Sequence, residues 1–218
     1  VRANPTAGFS IVQYTGPGSV GTIAHGLSAA PDFILAKNYQ DLAGSWMTYH
    51  SGYPGGTHGF NFQATTGVYA DSGYWNGTDP DSNVITLGSY TNTAHTWIVF
   101  CWSAVKGYSS FGKYTGNGSA DGPFVYTGFR VKWLLTKRSD GGANDWQLID
   151  ASRSPSNVAD DALKPNSSGA EGTHADYGVD FLSNGFKQRT SHIARNGSGN
   201  IYIYAAFAEH PFKTSRAV

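Results

Sequence analysis

The segment from 52 to 83 holds the residues whose types are best suited to ligand binding. It is rich in Gly, Asn and Asp, and it carries several aromatic residues. Aromatic rings stack on the C–H faces of a sugar, while carboxylate and imidazole groups bind its hydroxyls. Two alternatives stay open for these rings, packing of the loop onto a sheet and contact between subunits. The candidate ligand-contacting residues are Tyr53, His58, Tyr69, Tyr74, Trp75 and Asp79.

Three oxygen-bearing side chains at alternate positions form a candidate calcium site, which consists of Asp79, Asp81 and Asn83. Counted from Asp79, the Gly and Glu that an EF-hand loop needs at its sixth and twelfth positions are replaced by Val84 and Tyr90. The spacing therefore favours a cluster of Asx turns. We expect no bound metal ion and no cofactor.

The sequence lacks the spacing of common catalytic sites. Its histidines show no HExxH or HxH pattern, and no GxSxG nucleophile motif occurs. Glycoside hydrolysis uses two carboxylates on either side of the sugar, yet Glu171 and Glu209 are the only glutamates. Asp79 and Asp81 are the best-placed substitute pair. We expect a non-enzymatic protein and keep a polysaccharide hydrolase as the least favoured alternative.

Composition narrows the class of protein further. The formal net charge is zero and 14% of residues are charged, which argues against nucleic acid and an anionic membrane surface as partners. The longest apolar run, Trp97–Trp102, is far shorter than the roughly 20 residues of a membrane helix. It contains the single cysteine, Cys101, which we expect to be a buried thiol. Abundant Gly and aromatic residues favour a β-rich extracellular or virion protein.

Short apolar runs predict the strands that must position any site. Phe33–Lys37, Trp97–Trp102 and Trp133–Lys137 are of strand length, and convincing helical periodicity is absent. The best helical candidate is Ser156–Lys164, ended by Pro165. FKQRTSHIA and IYIYAAF predict two strands around a turn that starts at Asn196-Gly197. The pattern is typical of an antiparallel sandwich.

One phrase, YTG-x-GS, occurs twice, starting at Tyr14 and at Tyr114. The same offset places FILAK on WLLTK and Trp46 on Trp146, and WIVFCWSAV resembles YIYAAFAEH near the end of each half. We interpret this as an internal duplication, with half-repeats 8–108 and 109–213 inside one domain of 1–218. The Gly-rich phrase is expected to be scaffold that keeps each first strand in register.

Several long segments are shared with one protein family. They include GYSSFGKYTGNGSADGPFVYTGFRVKWLLTKRSD (107–140), DFLSNGFKQRT (180–190) and IAHGLSAAPDFILAKN (23–38). These segments resemble a domain of unknown function that is common in virion proteins of marine bacteriophages, often near the C-terminus of tail-fibre or other structural chains. The resemblance covers about 8–213 and is least marked over 52–95. It implies a jelly-roll or concanavalin-like sandwich on the particle, and it supplies no catalytic residues.

The sequence and the resemblance together predict an all-β, antiparallel β-sandwich of jelly-roll or concanavalin-like type, built from two diverged half-repeats. The expected function is adhesion of a phage virion surface or tail-fibre protein to a host-surface glycan. The expected location is the virion, outside the cell, and the expected partners are other virion proteins and further copies of the chain. The alternative is a structural capsid or fibre decoration domain that mediates subunit contacts.

Overall fold

The computed structural model describes residues 1–41 and 44–211. Apart from one turn of 3-10 helix at Ala175–Tyr177, the regular elements in these ranges are β-strands, and they pair in antiparallel fashion. The prediction of an all-β antiparallel sandwich is confirmed. No helix within these ranges has the length and apolar character that a membrane crossing requires.

The strands are numbered in chain order. The first nine are β1 (Arg2–Asn4), β2 (Phe9–Thr15), β3 (Gly21–Ala24), β4 (Phe33–Asn38), β5 (Trp46–His50), β6 (His58–Asn61), β7 (Tyr69–Ala70), β8 (Val84–Leu87) and β9 (Thr96–Trp102). The others are β10 (Ser109–Thr115), β11 (Phe124–Tyr126), β12 (Val131–Arg138), β13 (Gln147–Asp150), β14 (Asp161–Leu163), β15 (Gly172–Thr173), β16 (Val179–Leu182), β17 (Gly185–Gln188) and β18 (Ile201–Ala208).

The chain divides into two compact units. Unit 1 consists of 1–104 with 141–143, and unit 2 of 105–140 with the described residues from 144 onward. The division at 104 lies close to the boundary at 108 that the half-repeats predict. The single domain of 1–218 and the internal duplication stay predictions.

Unit 1 packs a large sheet against a small one. The large sheet has the order β1-β2-β9-β4-β5-β6-β7, and the small sheet pairs β3 with β8. Alternate residues of β9 point inward, so Val99 and Cys101 are buried while their neighbours are not. They belong to one apolar core with Ile85 and Leu87 of β8. The thiol of Cys101 is therefore buried, and burial raises its pKa to about 12.

Unit 2 repeats this arrangement with its own core. Its large sheet has the order β10-β18-β12-β13-β14-β15, and its small sheet the order β11-β17-β16. Leu134 and Ile149 from the large sheet share a core with Val125, Phe181 and Phe186 from the small one. Both units thus bury apolar residues between two sheets.

The two large sheets have the same strand order beyond β1. In each unit, the last described strand lies between two strands formed earlier in the chain. In unit 1, β9 lies between β2 and β4, and in unit 2, β18 lies between β10 and β12. Tyr14 pairs with Trp97, and Tyr114 pairs with Tyr202. The residues of the repeated phrase therefore occupy the same place in both sheets.

The repeated phrase ties the end of the first long strand to the loop before the last strand. The Asn92 side-chain amide donates to the Ser19 carbonyl at 2.5 Å, and the Asn196 amide donates to Ser119 at 2.7 Å. At Gly116 the backbones approach so closely that a Cβ would lie 2.3 Å from a carbonyl oxygen. The glycine is required for this contact.

Two local predictions are wrong. The helix predicted over Ser156–Lys164 is absent, and β14 lies within it, because Ala162 pairs with β13 and is buried in the core of unit 2. The hairpin around Asn196-Gly197 is also absent, since β17 and β18 belong to different sheets. The Asn196 side chain instead donates to the carbonyls of Thr190 and Ser119, which fixes a longer loop.

Candidate functional site

The two aromatic residues in the middle of the 52–83 segment face the core of unit 1. Trp75 is completely buried and meets Tyr49 edge-to-face at 5.9 Å between ring centroids. Tyr74 is 7% exposed, and its hydroxyl donates to Asn61 Oδ1 at 3.3 Å. Both rings stabilise the packing of the segment onto the sheet, which is one of the alternatives that the sequence left open. Both side chains are therefore almost wholly shielded from solvent.

Other candidate residues of the segment lie nearer the surface. The rings of Tyr53 and His58 are 5.5 Å apart, and Tyr53 also meets Phe60 edge-to-face at 5.8 Å. Tyr69 lies on β7 at the edge of the large sheet and is 37% exposed. Its hydroxyl donates to Thr66 Oγ1 at 2.7 Å. The structure therefore brings Tyr53 and His58 together, with Tyr69 on an edge strand.

Asp79 and Asp81 hold backbone turns. The Asp79 carboxylate accepts from the amides of Gly55 and Gly56 at 2.7 and 3.0 Å and from the Tyr49 hydroxyl at 3.0 Å. The amide of Val84 donates to Asp81 at 2.7 Å.

The backbone amide of Asn83 also donates a hydrogen bond to Asp81 Oδ1, at 2.7 Å. These backbone bonds lower the pKa of the Asp81 carboxyl, because they favour its charged form. The carboxylates of Asp79 and Asp81 thus serve different turns. Over 1–41 and 44–211, no group of three or more His, Cys, Asp and Glu residues is placed to hold a metal ion.

A pocket of about 260 Å³ opens in unit 1 at the end of β4 and the start of β9. Residues before and at the start of β9 form one wall, and described residues between β4 and β5, among them Asp41 and Gly44, form the other. Its lining residues are Asn38, Asp41, Gly44, Ser45, Met47, Tyr90, Thr93, His95 and Trp97.

Trp97, which is buried, and Met47, which is partly buried, form the apolar floor of this pocket. Trp97 is 2% exposed and stacks on Tyr14 with 6.4 Å between ring centroids. Its indole N–H donates to the Thr93 carbonyl at 3.3 Å. Met47 packs against the same core. An apolar floor of this kind fits the C–H groups of a ligand.

The wall between β4 and β5 is held by two polar residues at the end of β4. Asn38 Oδ1 accepts from the amides of Gln40 and Asp41 at 3.0 and 3.1 Å. The Lys37 ammonium donates to the carbonyls of Asp41, at 3.2 Å, and of Gly44. The cation that ends the FILAK run therefore stabilises a wall of the pocket.

Tyr90 projects from the opposite wall and is 46% exposed. Tyr74 meets it edge-to-face at 5.6 Å, so the buried ring supports the exposed one. A Cβ on Gly73 would lie 2.6 Å from the Tyr90 ring, which therefore rests directly on the backbone. A hydrogen bond with Asp71 raises the pKa of Tyr90.

The Thr93 hydroxyl is enclosed by the protein. Its oxygen is buried and has no hydrogen-bond partner among the residues that the structure describes. Because water does not reach this oxygen, a molecule in the pocket does not contact it either. His95, also in the lining, is exposed. The pocket can therefore bind a small polar molecule that also has an apolar face.

Sequence reasoning missed this pocket. Tyr90, Thr93 and His95 lie in SYTNTAHTW (89–97), just outside the segment that was singled out. The available signal was an aromatic residue among short polar residues directly before a strongly apolar strand. That pattern is common in loops, and only the fold brings it beside Asn38 and Met47.

Comparison with known proteins identifies one family. A family model described as a domain of unknown function (DUF7483) matches residues 1–211. No curated protein and no solved structure matches the chain. The matched range includes nearly all of the chain and runs through both units. The chain therefore belongs to the DUF7483 family of domains of unknown function.

Proposed function

We propose that the chain is a non-enzymatic surface or tail-fibre domain of a bacteriophage virion, with a jelly-roll type sandwich, that adheres to host-surface glycans. The phage setting rests on the resemblance of its long motifs to virion domains. An all-β chain with zero net charge suits an extracellular particle. Fibres carry several copies of such domains, so individually weak sites combine through avidity.

The observation that supports glycan binding is the exposed ring of Tyr90 beside the apolar side chains of Trp97 and Met47. The ring of Tyr74 holds the Tyr90 ring in place. His95 and Asp41 add an imidazole and a carboxylate to the lining. A neutral sugar presents C–H faces and hydroxyls side by side, so it complements both kinds of group.

The size of the pocket narrows the class of ligand. Its volume of about 260 Å³ lies just below the roughly 300–1,000 Å³ typical of sites for drug-sized ligands. One sugar unit at the end or branch of a chain fits this space better than a long oligosaccharide. The proposed ligand is therefore a terminal or branching sugar.

The test is a glycan-array screen of the full chain, followed by calorimetric titration of each glycan that binds. Tyr90→Ala is compared with Tyr69→Ala, which removes an exposed ring outside the pocket. We expect Tyr90→Ala to bind several-fold to about tenfold more weakly, since one aromatic contact contributes roughly 0.5–1.5 kcal/mol. Tyr69→Ala is expected to bind like the wild type.

Failure of the folded wild type to bind any glycan would overturn the proposed adhesion. Loss of binding in Tyr69→Ala alone would keep adhesion but move the site to the edge of the large sheet, beside the 52–83 segment.

A structural role is the second candidate, and a different surface supports it. Phe124 and Tyr126 lie on β11, an edge strand of the small sheet of unit 2, and are 46% and 67% exposed. Neighbouring exposed aromatic residues on a sheet edge are suited to contacts between copies. Analytical ultracentrifugation of Phe124→Ser/Tyr126→Ser tests this role, which predicts a smaller assembly than the wild type forms.

A further inference from the structure

Arg195, in the loop between β17 and β18, is completely buried without a carboxylate partner in the described ranges. Its Nε donates to Gln188 Oε1 at 3.1 Å. Neither Nη1 nor Nη2 has a hydrogen-bond acceptor among the described residues. Burial lowers the pKa of Arg195 to about 10, so the guanidinium still carries its charge at neutral pH.

The polar groups beside Arg195 are already engaged with one another. The Tyr114 hydroxyl donates to the Arg195 carbonyl at 2.8 Å and accepts from Gln188 Nε2 at 2.9 Å. Gln188 uses its oxygen for Arg195 Nε. Tyr114 also contacts the rings of Tyr202 and Phe186, with centroids 5.1 and 5.9 Å away. The two terminal nitrogens of Arg195 are thus left without an acceptor among the described residues.

The fold does not require a cation at this position. In unit 1 the Tyr14 hydroxyl donates to the Thr91 carbonyl, so Thr91 occupies the place that Arg195 has in unit 2. The Thr91 hydroxyl is satisfied locally by the Tyr74 carbonyl at 2.6 Å. A short neutral side chain therefore completes the same architecture. The arginine is specific to unit 2 and calls for its own explanation.

A buried charge without a counter-charge costs several kcal/mol. Water molecules satisfy hydrogen bonds but leave the charge uncompensated, whereas an anion does both. We propose that Nη1 and Nη2 of Arg195 bind a small inorganic anion, of the chloride class, inside unit 2. A monatomic ion is the smallest anion that can reach donors on a wholly buried side chain. The proposal does not depend on glycan binding.

The first experiment measures urea unfolding of the full chain at constant ionic strength while sodium gluconate is replaced by sodium chloride. An anion that binds only the folded state raises the unfolding midpoint as its concentration increases. We expect the midpoint of the wild type to rise with chloride. In Arg195→Met the midpoint should not depend on which anion is present.

The control is Arg153→Met, which removes an arginine that is paired with Asp150 and Glu171 near the surface. This variant should keep the chloride dependence of the wild type. A wild-type midpoint that is equal in the two salts would overturn the proposal, as would an equal chloride response in Arg195→Met.

The second experiment needs no variant and covers the case in which Arg195→Met does not fold. Crystals of the wild-type chain soaked in bromide are measured at the bromine absorption edge. An anomalous peak within hydrogen-bond distance of Nη1 and Nη2 supports the site. Density without anomalous signal at that place would identify water and overturn the proposal.

Discussion

The hydroxyl of Tyr114 donates a hydrogen bond to the backbone carbonyl of Arg195 across unit 2, at 2.8 Å. Tyr14 makes the corresponding bond to Thr91 in unit 1. Each bond joins the first long strand of a unit to the loop that leads into its last strand. The repeated YTG-x-GS phrase is therefore a structural element, in which the tyrosine anchors the loop and the first glycine permits its close approach.

Removal of the Tyr114 hydroxyl is expected to destabilise the protein. Tyr114→Phe leaves the buried Arg195 carbonyl without its donor and Gln188 without its acceptor, at a cost of about 1–3 kcal/mol. Urea unfolding checks this value. Tyr126→Phe is the control, because that side chain is 67% exposed and the change should be nearly neutral. Equal stability of the two variants would contradict the assigned role of the bond.

A methyl group at Gly116 is expected to be tolerated poorly. Its Cβ would lie 2.3 Å from the Gly197 carbonyl oxygen and 2.9 Å from the Asn196 carbonyl carbon, so the backbone would have to move. Gly116→Ala should therefore cost about 3 kcal/mol or more in unfolding free energy. Gly199→Ala is the control, since it has φ 74° but nothing within 4 Å of its Cβ.

The Gly199 control variant should lose only about 1 kcal/mol, through its left-handed backbone. Thermal and urea unfolding of both variants measure the difference. A Gly116→Ala protein as stable as Gly199→Ala would show that the two backbones are farther apart than described.

His25 is expected to make the protein less stable in mild acid. It is fully buried, the Leu27 amide donates to its Nδ1 at 3.2 Å, and its Nε2 lies 3.1 Å from the Asp81 carbonyl. This pairing fits the neutral ring with its proton on Nε2. Burial lowers the pKa of His25 below its ordinary value of 6.5.

The unfolded chain consequently takes up this proton before the folded one does. Stability should fall as pH decreases from about 6.5 toward the lower folded pKa, and it should be fully present above 6.5. Urea unfolding between pH 7.5 and pH 5 measures the trend. His25→Gln should show a shallower decline, whereas His95→Gln, at an exposed position, should follow the wild type. Parallel pH profiles for all three proteins would refute the assignment.

Trp75→Ala is expected to unfold unit 1 more easily rather than to act on binding alone. Truncation of a fully buried tryptophan costs about 3–5 kcal/mol because it removes apolar contacts and leaves a cavity. Trp75→Phe should cost less, because phenylalanine keeps an aromatic ring in the core and leaves a smaller cavity. Near-ultraviolet circular dichroism and urea unfolding distinguish the two. A Trp75→Ala protein with wild-type stability and lost glycan binding would contradict this placement.

The apolar runs predicted the strands well because their length and β-branched content reflect burial directly. Phe33–Lys37, Trp97–Trp102 and Trp133–Lys137 lie in β4, β9 and β12. The helix at Ser156–Lys164 was wrong because Ala and Leu favour a helix locally, whereas pairing with β13 decides the outcome. The pairing of one strand with another has no signature within the strand's own sequence.

The candidate site was harder to predict for a related reason. Tyr74 and Trp75 lie among polar loop residues, which suggests exposure, yet the loop turns both rings inward. The direction of a side chain in an irregular segment depends on hydrogen bonds such as those of Asp79 to Gly55 and Gly56. No periodicity records these bonds. The exposed position of Tyr90 likewise depends on its contact with the buried ring of Tyr74, which the sequence does not indicate.

The position of β9 and β18 in their sheets has a consequence for biosynthesis. Among the described residues each is the last strand of its unit to leave the ribosome, yet each joins two strands made much earlier, with Phe9 opposite Trp102 and Ser109 opposite Phe207. Until it emerges, β2 and β4, and likewise β10 and β12, keep unpaired edges that can join other nascent chains. Each unit therefore completes its sheet only after its translation is nearly finished, and folding of this kind is slow because its contacts are distant in sequence.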